Sequence, residues 1–305
     1  MTDILAIVGP TASGKSALAV ACAEALGTEI LSADSMQIYR GMEIGTAAAT
    51  AEEQARARHH FVGQLTPGEP WSAGMFEEQA APIVRALNAA GKPAVVAGGS
   101  GLYLQALMDG MFDGPAGDDD LRARLQSEAE SGADLFARLD AVDPAYAAVI
   151  DPNDLRRVVR GLEVFEVSGR TLSELHAEHR AMRPPFQSLS FAIDWPREEL
   201  YARVEARVDA MLADGFVDEV RGLLEAGHGD ALKKLRAVGY GPVLAHLEGA
   251  VDLDEAVDLM KRDTRRFAKR QLTWFRADSR VEWLTPPDAC TWGALVSYVV
   301  DRVRG

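Results

Sequence analysis

The stretch Asp3-Ile-Leu-Ala-Ile-Val-Gly-Pro-Thr-Ala-Ser-Gly-Lys-Ser16 carries an apolar run into a glycine-rich turn and then into a helix. The consecutive apolar residues of Ile4–Val8 suit a strand covered on both faces. Gly9 and Gly14, with Lys15 and Ser16 directly after, complete the phosphate-loop pattern, here between a strand and a helix, where that pattern has its mechanical meaning. Across Gly9, Pro10, Thr11, Ala12, Ser13 and Gly14 the backbone can come close to an anion, and the helix N-terminus adds favourable potential. Lys15 puts a point charge on the phosphates, and the Ser16 hydroxyl can ligate Mg2+. Such a loop holds a diphosphate or a triphosphate without saying which.

Outward from the loop, a helix over residues 16–26 ends at Gly27, and a second strand over 29–32 leads to Asp34. A long helix over 73–90, beginning after Ser72 as N-cap, stops at Gly91, and residues 93–98 read as another buried strand. Strands alternating with helices predict a parallel sheet covered on both faces. The pattern changes at Asp113-Gly-Pro-Ala-Gly-Asp-Asp-Asp and is only helical as far as Pro184-Pro185. A strand over 188–194, further helices and a last short strand at Val281–Leu284 follow. The expected fold is α/β: a P-loop NTPase-like parallel-sheet core, residues 1–113 and 188–305, with an all-helical insertion at 114–187.

The 305 residues, 48% of them hydrophobic, are enough for one large core or two smaller ones. No apolar run approaches the roughly 20 residues of a membrane span, and Met-Thr-Asp leads straight into a strand with no basic leader. Cys22 and Cys290 stand far apart without metal-ligand neighbours, which suits a reducing cytoplasm. A net charge of −14 argues against a nucleic-acid partner unless basic residues are gathered locally.

P-loop NTPases usually carry a second strand ending in a metal-holding acid. Here Ala94-Val-Val-Ala ends instead in Gly98-Gly-Ser-Gly-Leu-Tyr103, leaving Asp34 at the carboxyl end of the second strand, where ligands collect in open α/β sheets. Asp34 suits either a metal ligand or a base facing a second substrate. Ser35 and Gln37 beside it carry hydrogen-bonding groups suited to a planar polar partner such as a nucleobase.

Taken in order, GPTASGKS, DSMQIYRGMEIGTA, GGSGLY, RAVGYG and TRRFAKRQLTWFR resemble the bacterial tRNA dimethylallyltransferases, over residues 9–276. The resemblance implies transfer of a dimethylallyl group from dimethylallyl diphosphate to N6 of adenosine 37, just 3′ of the anticodon, with Mg2+ as cofactor and a single copy of the chain acting on tRNA. It implies that Asp34 takes a proton from the entering amine, and that Arg207 joins Lys15 and Mg2+ on the departing diphosphate. Arg203 and Arg207 share a helix face by their spacing. Ser100 stands where most of the family has threonine, and its hydroxyl is expected at the reaction centre. The family's tRNA contacts fall on Asp34, Ser35, Met36 and Gln37; on Ser100 and Arg122; on Arg156, Arg157, Val158, Val159 and Arg160; and on Arg236, Gly239 and Tyr240.

Near the C-terminus, residues 261–276 hold seven basic residues and one acid. On a helical wheel Val257, Met260, Phe267, Ala268, Trp274 and Phe275 share one arc, while Arg262, Arg265, Arg266, Lys269, Arg270 and Arg276 lie opposite. At about 1.5 Å per residue the stripe is some 20 Å long, enough to follow several phosphates of tRNA. In 153–168 a smaller version sets Arg156, Arg157 and Arg160 against Leu155, Val158, Val159, Leu162 and Phe165. His59-His60 reads as a packing pair, and Cys22 as core. A prenyltransferase acting on free adenine nucleotides would need neither the helical insertion nor the basic stripe, and a P-loop kinase would turn over ATP without tRNA.

Overall fold

Every residue of β1 (Ile4–Val8) is buried in this computed structural model, which describes residues 2–110, 114, 115, 117–182, 186–288 and 290–305. From β1 the chain runs through α1 (Lys15–Leu26), β2 (Ile30–Ser32), α2 (Glu43–Thr46), α3 (Ala51–Arg56) and β3 (His59–His60). There follow α4 (Ala73–Ala89), β4 (Ala94–Gly98) and α5 (Gly101–Asp109), then the helices α6 (Asp119–Glu130), α7 (Leu135–Val142), α8 (Pro144–Ala147), α9 (Leu155–Ser168) and α10 (Leu172–Met182). The chain returns with β5 (Ser188–Ile193), α11 (Arg197–Ala213), α12 (Phe216–Glu225), α13 (Gly229–Leu235), α14 (Tyr240–Leu247), α15 (Leu253–Arg276), β6 (Val281–Leu284) and α16 (Trp292–Arg304). The contacts divide the chain into two compact units, Met1–Met108 with Phe186–Gly305, and Asp109–Pro185. Asp113 and Pro184-Pro185, where the sequence pattern changes, lie outside the described residues.

In the first unit the strands form a parallel sheet in the order β3-β2-β4-β1-β5-β6. Leu5 and Ile7 of β1, Val95 of β4 and Phe191 and Ile193 of β5 pack with Leu18, Val20 and Ala23 of α1 and Val299 and Val303 of α16. Ile4, Ala6 and Val8 point to the opposite face, so β1 is apolar at every position, as a central parallel strand requires. The sequence pattern missed β3; His59 and His60 form a two-residue edge strand, with His60 Nε2 2.6 Å from Glu29 Oε2.

Because β1, β2 and β4 are parallel and adjacent in register, the loops at their carboxyl ends meet at one edge of the sheet. The first follows Val8, the second follows Ser32, and the third follows Gly98. Gly98 permits this approach, since a Cβ there would lie 2.0 Å from the Ala33 carbonyl oxygen.

The second unit is helical. Asp118, Asp134, Asp143 and Asp154 each cap the helix that follows, accepting a backbone N–H of its first turn. Leu125, Leu135, Leu139, Val158, Val159 and Leu162 form its core. Gly161 allows α9 to meet α7, for a Cβ there would sit 2.6 Å from Leu139 Cδ1.

Candidate active site

The phosphate loop takes its shape from three residues at positive φ, Gly9 at 133°, Ala12 at 64° and Gly14 at 90°. The strain at Ala12 is held by neighbours. Its carbonyl accepts from Arg203 Nε at 2.9 Å, and Arg203 in turn lies over the Trp195 ring at 4.2 Å. Trp195 Nε1 donates to the Ser13 carbonyl at 2.9 Å, and Lys15 Nζ donates to the Pro10 carbonyl at 3.3 Å. The Thr11 N–H is committed to Gln271 Oε1 at 2.9 Å, and the Ser13 N–H to the Pro10 carbonyl at 3.4 Å. The first turn of α1, which follows the N-cap Gly14, has no side-chain cap and so offers its amides to an anion.

A pocket of about 230 Å³ opens over this turn. Thr11, Lys15 and Ser16 form one wall; Asp34, Ser35, Met36 and Gln37 form another; Arg207, Arg236, Gly239 and Arg270 face them. Val208, Met211, Phe216, Met260 and Phe267 supply an apolar remainder. Burial and the nearby Arg207 bring the Lys15 ammonium down from 10.5 to about 8, against the pull of Asp34. Burial likewise lowers the Arg207 guanidinium, which Asp34 and Glu53 hold in its charged form. Arg207 Nε is buried with no hydrogen-bond partner. Two cations crowded together, one of them with an unpaired donor, make a site that favours an anion. Asp34 uses Oδ1 to accept the Met36 N–H at 2.9 Å, and no ion pair ties it to Lys15 or Arg207 among the described residues.

The helix-face pairing of Arg203 with Arg207 thus separates into two tasks, one arginine bracing the loop and the other lining the pocket. Ser100 stands behind the lining; its Oγ accepts the Ser35 N–H at 3.1 Å and steadies the Asp34 segment. Gln37 is likewise turned inward, its Oε1 accepting from Ser32 Oγ at 2.7 Å and its Nε2 donating to the Ala47 carbonyl at 3.1 Å. That carboxamide shapes the loop, with both its N–H groups spent on the Thr46 and Ala47 carbonyls.

Three further expectations are corrected. Tyr240 is 1% exposed, and its hydroxyl donates to Glu219 Oε1 at 2.7 Å, so it is a core residue without an RNA-facing surface. Val158 and Val159 belong to the helical core, because the arginines of α9 occupy the other side of that helix. Arg122 and Arg160 both pair with the fully buried Glu163, at 2.9 and 2.7 Å, leaving Arg156 as the cation of α9 without an anionic partner among the described residues; Arg157 reaches Asp154 at 3.3 Å.

The basic stripe of α15 is also less uniform than its sequence. Lys261 pairs with Asp209, Arg265 with Glu205, Arg276 with Asp194, and Arg262 and Arg266 with Asp263. These acids come mostly from α11 and the loop after β5. Lys269 and Arg270 keep no carboxylate partner among the described residues, and Trp274, placed on the apolar arc, is 39% exposed beside Gly101.

Sequence reasoning missed Glu219 and Gln271. Glu219 accepts the Ile44 and Gly45 N–H groups at 2.6 and 3.0 Å and so fixes α2 beside the pocket. Burial pushes its carboxyl up from the ordinary range. Gln271 left a signal, being the one carboxamide on the apolar arc of α15.

Among the described residues no cluster of His, Cys, Asp or Glu could hold a metal ion alone. The Ser16 hydroxyl, exposed at the pocket wall, fits a Mg2+ that takes its remaining ligands from phosphate oxygens and water. No helix of the described residues is long and apolar enough to cross a membrane.

The fold and the pocket together define an α/β protein of the phosphate-loop type whose cationic cradle faces a carboxylate. The sequence profile of the IPP transferase family matches residues 37–278, and the chain belongs to that family. It is 47% identical over 299 residues to a tRNA dimethylallyltransferase of Syntrophobacter fumaroxidans, covering 97% of this chain and 86% of that one. It resembles the crystal structure of the tRNA isopentenylpyrophosphate transferase of Bacillus halodurans, with TM-score 0.72, 35% identity and coverage of 99% and 96%. It also resembles a eukaryotic dimethylallyltransferase caught crystallographically acting on tRNA, with TM-score 0.80, 25% identity and coverage of 98% and 77%.

Proposed function

We propose that the protein transfers the dimethylallyl group of dimethylallyl diphosphate to N6 of adenosine 37 in tRNA. The observation that carries this reading is the joint lining of one pocket by Lys15 and Arg207, both cationic and short of counter-charge, and by Asp34, a carboxylate with one oxygen uncommitted.

An adenine exocyclic amine is a poor nucleophile, because its lone pair is delocalised into the ring. As N6 bonds to the allylic C1, the C1–O bond to diphosphate breaks and the electron pair leaves with the oxygen. Asp34 accepts the N6 proton, relieving the positive charge that would build on nitrogen. Lys15, Arg207 and the uncapped amides of α1 hold the negative charge growing on the diphosphate, and being already in place they need no reorganisation. Ser16 would hold Mg2+, which when bound supplies further neutralisation of the same oxygens. Lys269 and Arg270 offer charge to the RNA backbone, as Arg156 does in the helical unit.

The test is to incubate the chain with dimethylallyl diphosphate, Mg2+ and an unmodified tRNA, digest the product and look for N6-dimethylallyladenosine. Its formation at adenosine 37 is expected; no transfer, or ATP hydrolysis without tRNA, removes the reading.

A further inference from the structure

We propose that Gln271 is a positioning residue, whose carboxamide fixes the phosphate loop to the 98–100 loop and thereby sets the separation between the diphosphate cradle and Asp34. The inference rests on the reaction proposed above. Gln271 is 5% exposed and lies within α15, far in sequence from both of its partners. Nε2 donates to the Gly99 carbonyl at 3.0 Å, and Oε1 accepts the Thr11 N–H at 2.9 Å. The orientation is dictated by chemistry, since the Gly99 oxygen only accepts and the Thr11 amide only donates.

From Gly99 the connection continues to the acid. Ser100 follows directly, its Oγ accepts the Ser35 N–H, and its own N–H donates to the Ala33 carbonyl at 3.2 Å, so the two sides of Asp34 are tied to this loop. Gly99 lets the carboxamide come this close, because a Cβ there would lie 2.0 Å from Gln271 Nε2 and displace it. Neither bond of the carboxamide goes to the scaffold of α15; one goes to the backbone of Thr11, which lines the pocket, and the other to the backbone of Gly99, in the loop behind Asp34. A buried carboxamide is costly unless paired, and an apolar side chain of similar size would fill the space. On the same helix Lys269 is exposed away from the pocket and Arg270 lies at its rim, so the element that offers charge to RNA also braces the phosphate loop.

The full-length chain and its Gln271→Met and Gln271→Glu variants would be compared for kcat and for both KM values from pH 6 to 8.5, with melting curves to establish folding. Met keeps the volume and loses both bonds, so kcat should fall roughly 10²-fold while the KM for tRNA stays within about threefold. Glu gives a distinct signature. Ionised, it accepts from Thr11 but sets an oxygen against the Gly99 carbonyl; protonated, it donates there and restores both bonds. Its turnover relative to the wild type should therefore rise as pH falls. A Met variant turning over as the wild type does, a raised tRNA KM at unchanged kcat, or a Glu ratio flat with pH would each overturn the inference. If the Met variant does not fold, the Glu profile decides alone. No product from the wild type removes the parent reaction and this inference with it.

Discussion

Lys15 should report diphosphate binding as proton uptake. In the unfolded chain its ammonium titrates near 10.5, whereas in the folded free protein burial and Arg207 bring it to about 8. Between those values the unfolded chain holds a proton that the folded chain has released, so stability rises with pH across that window. Below pH 8 the folded chain carries the full cost, about 3 kcal/mol. A bound diphosphate reverses the balance by placing negative charge against the ammonium and returning its pKa towards the ordinary value. Binding must then take up about half a proton at pH 8 and about nine-tenths at pH 9, and the affinity should weaken about tenfold between pH 7 and pH 9. The ligand contributes little at pH 8 and above, since the last ionisation of a phosphate ester has its midpoint near pH 6. Calorimetry of dimethylallyl diphosphate without tRNA, in two buffers of different ionisation enthalpy, measures the uptake directly. Lys15→Arg, charged throughout, should show none. An affinity flat from pH 7 to pH 9 in the wild type, or uptake that persists in Lys15→Arg, would refute the reasoning.

Asp34→Asn should retain diphosphate and tRNA binding while kcat falls about 10²- to 10⁴-fold, since the proton acceptor is lost and the cationic cradle stays; single-turnover assays read it. Replacing Lys269 and Arg270 together with Ala should lower the salt slope of tRNA binding by about two, one for each phosphate contact. The same change at Arg265 and Arg276, already paired with Glu205 and Asp194, should lower it less; filter binding across a salt series compares the two. Gly45→Ala would press a methyl against the Phe216 and Tyr240 rings, 2.2 and 2.6 Å from the new Cβ, costing about 1–3 kcal/mol and lowering the melting temperature.

Much of the fold was legible because its signals are local. The apolar runs of β1, β4 and β5 need no partner to be recognised, and Gly14-Lys15-Ser16 announces a loop and a helix in successive residues. The edge strand β3 escaped for the converse reason, being two histidines long with no apolar alternation. At the site, Asp34 and Arg207 could be placed by motif, but the bonds that aim them could not. Glu219 reaches α2 across 175 residues, and Gln271 reaches Thr11 across 260. The stripe on α15 looked more uniform than it is for the same reason, because the acids that pair with Lys261, Arg265 and Arg276 stand on another helix and another loop.

Arg203 and Arg207 show why periodicity assigns a face and not a task. Spaced one turn apart on α11, they meet different surroundings. Arg203 finds the Ala12 carbonyl and the Trp195 ring, and both of its needs are met inside the protein. Arg207 finds a pocket, a neighbouring ammonium and no acceptor for Nε. A donor left that way lowers the stability of the free chain, as does the depressed lysine beside it. On the proposed reaction an arriving diphosphate would remove both penalties at once, so part of its affinity would be electrostatic strain already stored in the folded protein. On that reading a carboxylate placed to cancel the strain would stabilise the chain and weaken the grip on the leaving group, and Asp34 lines the same pocket with no ion pair to Lys15 or Arg207 among the described residues.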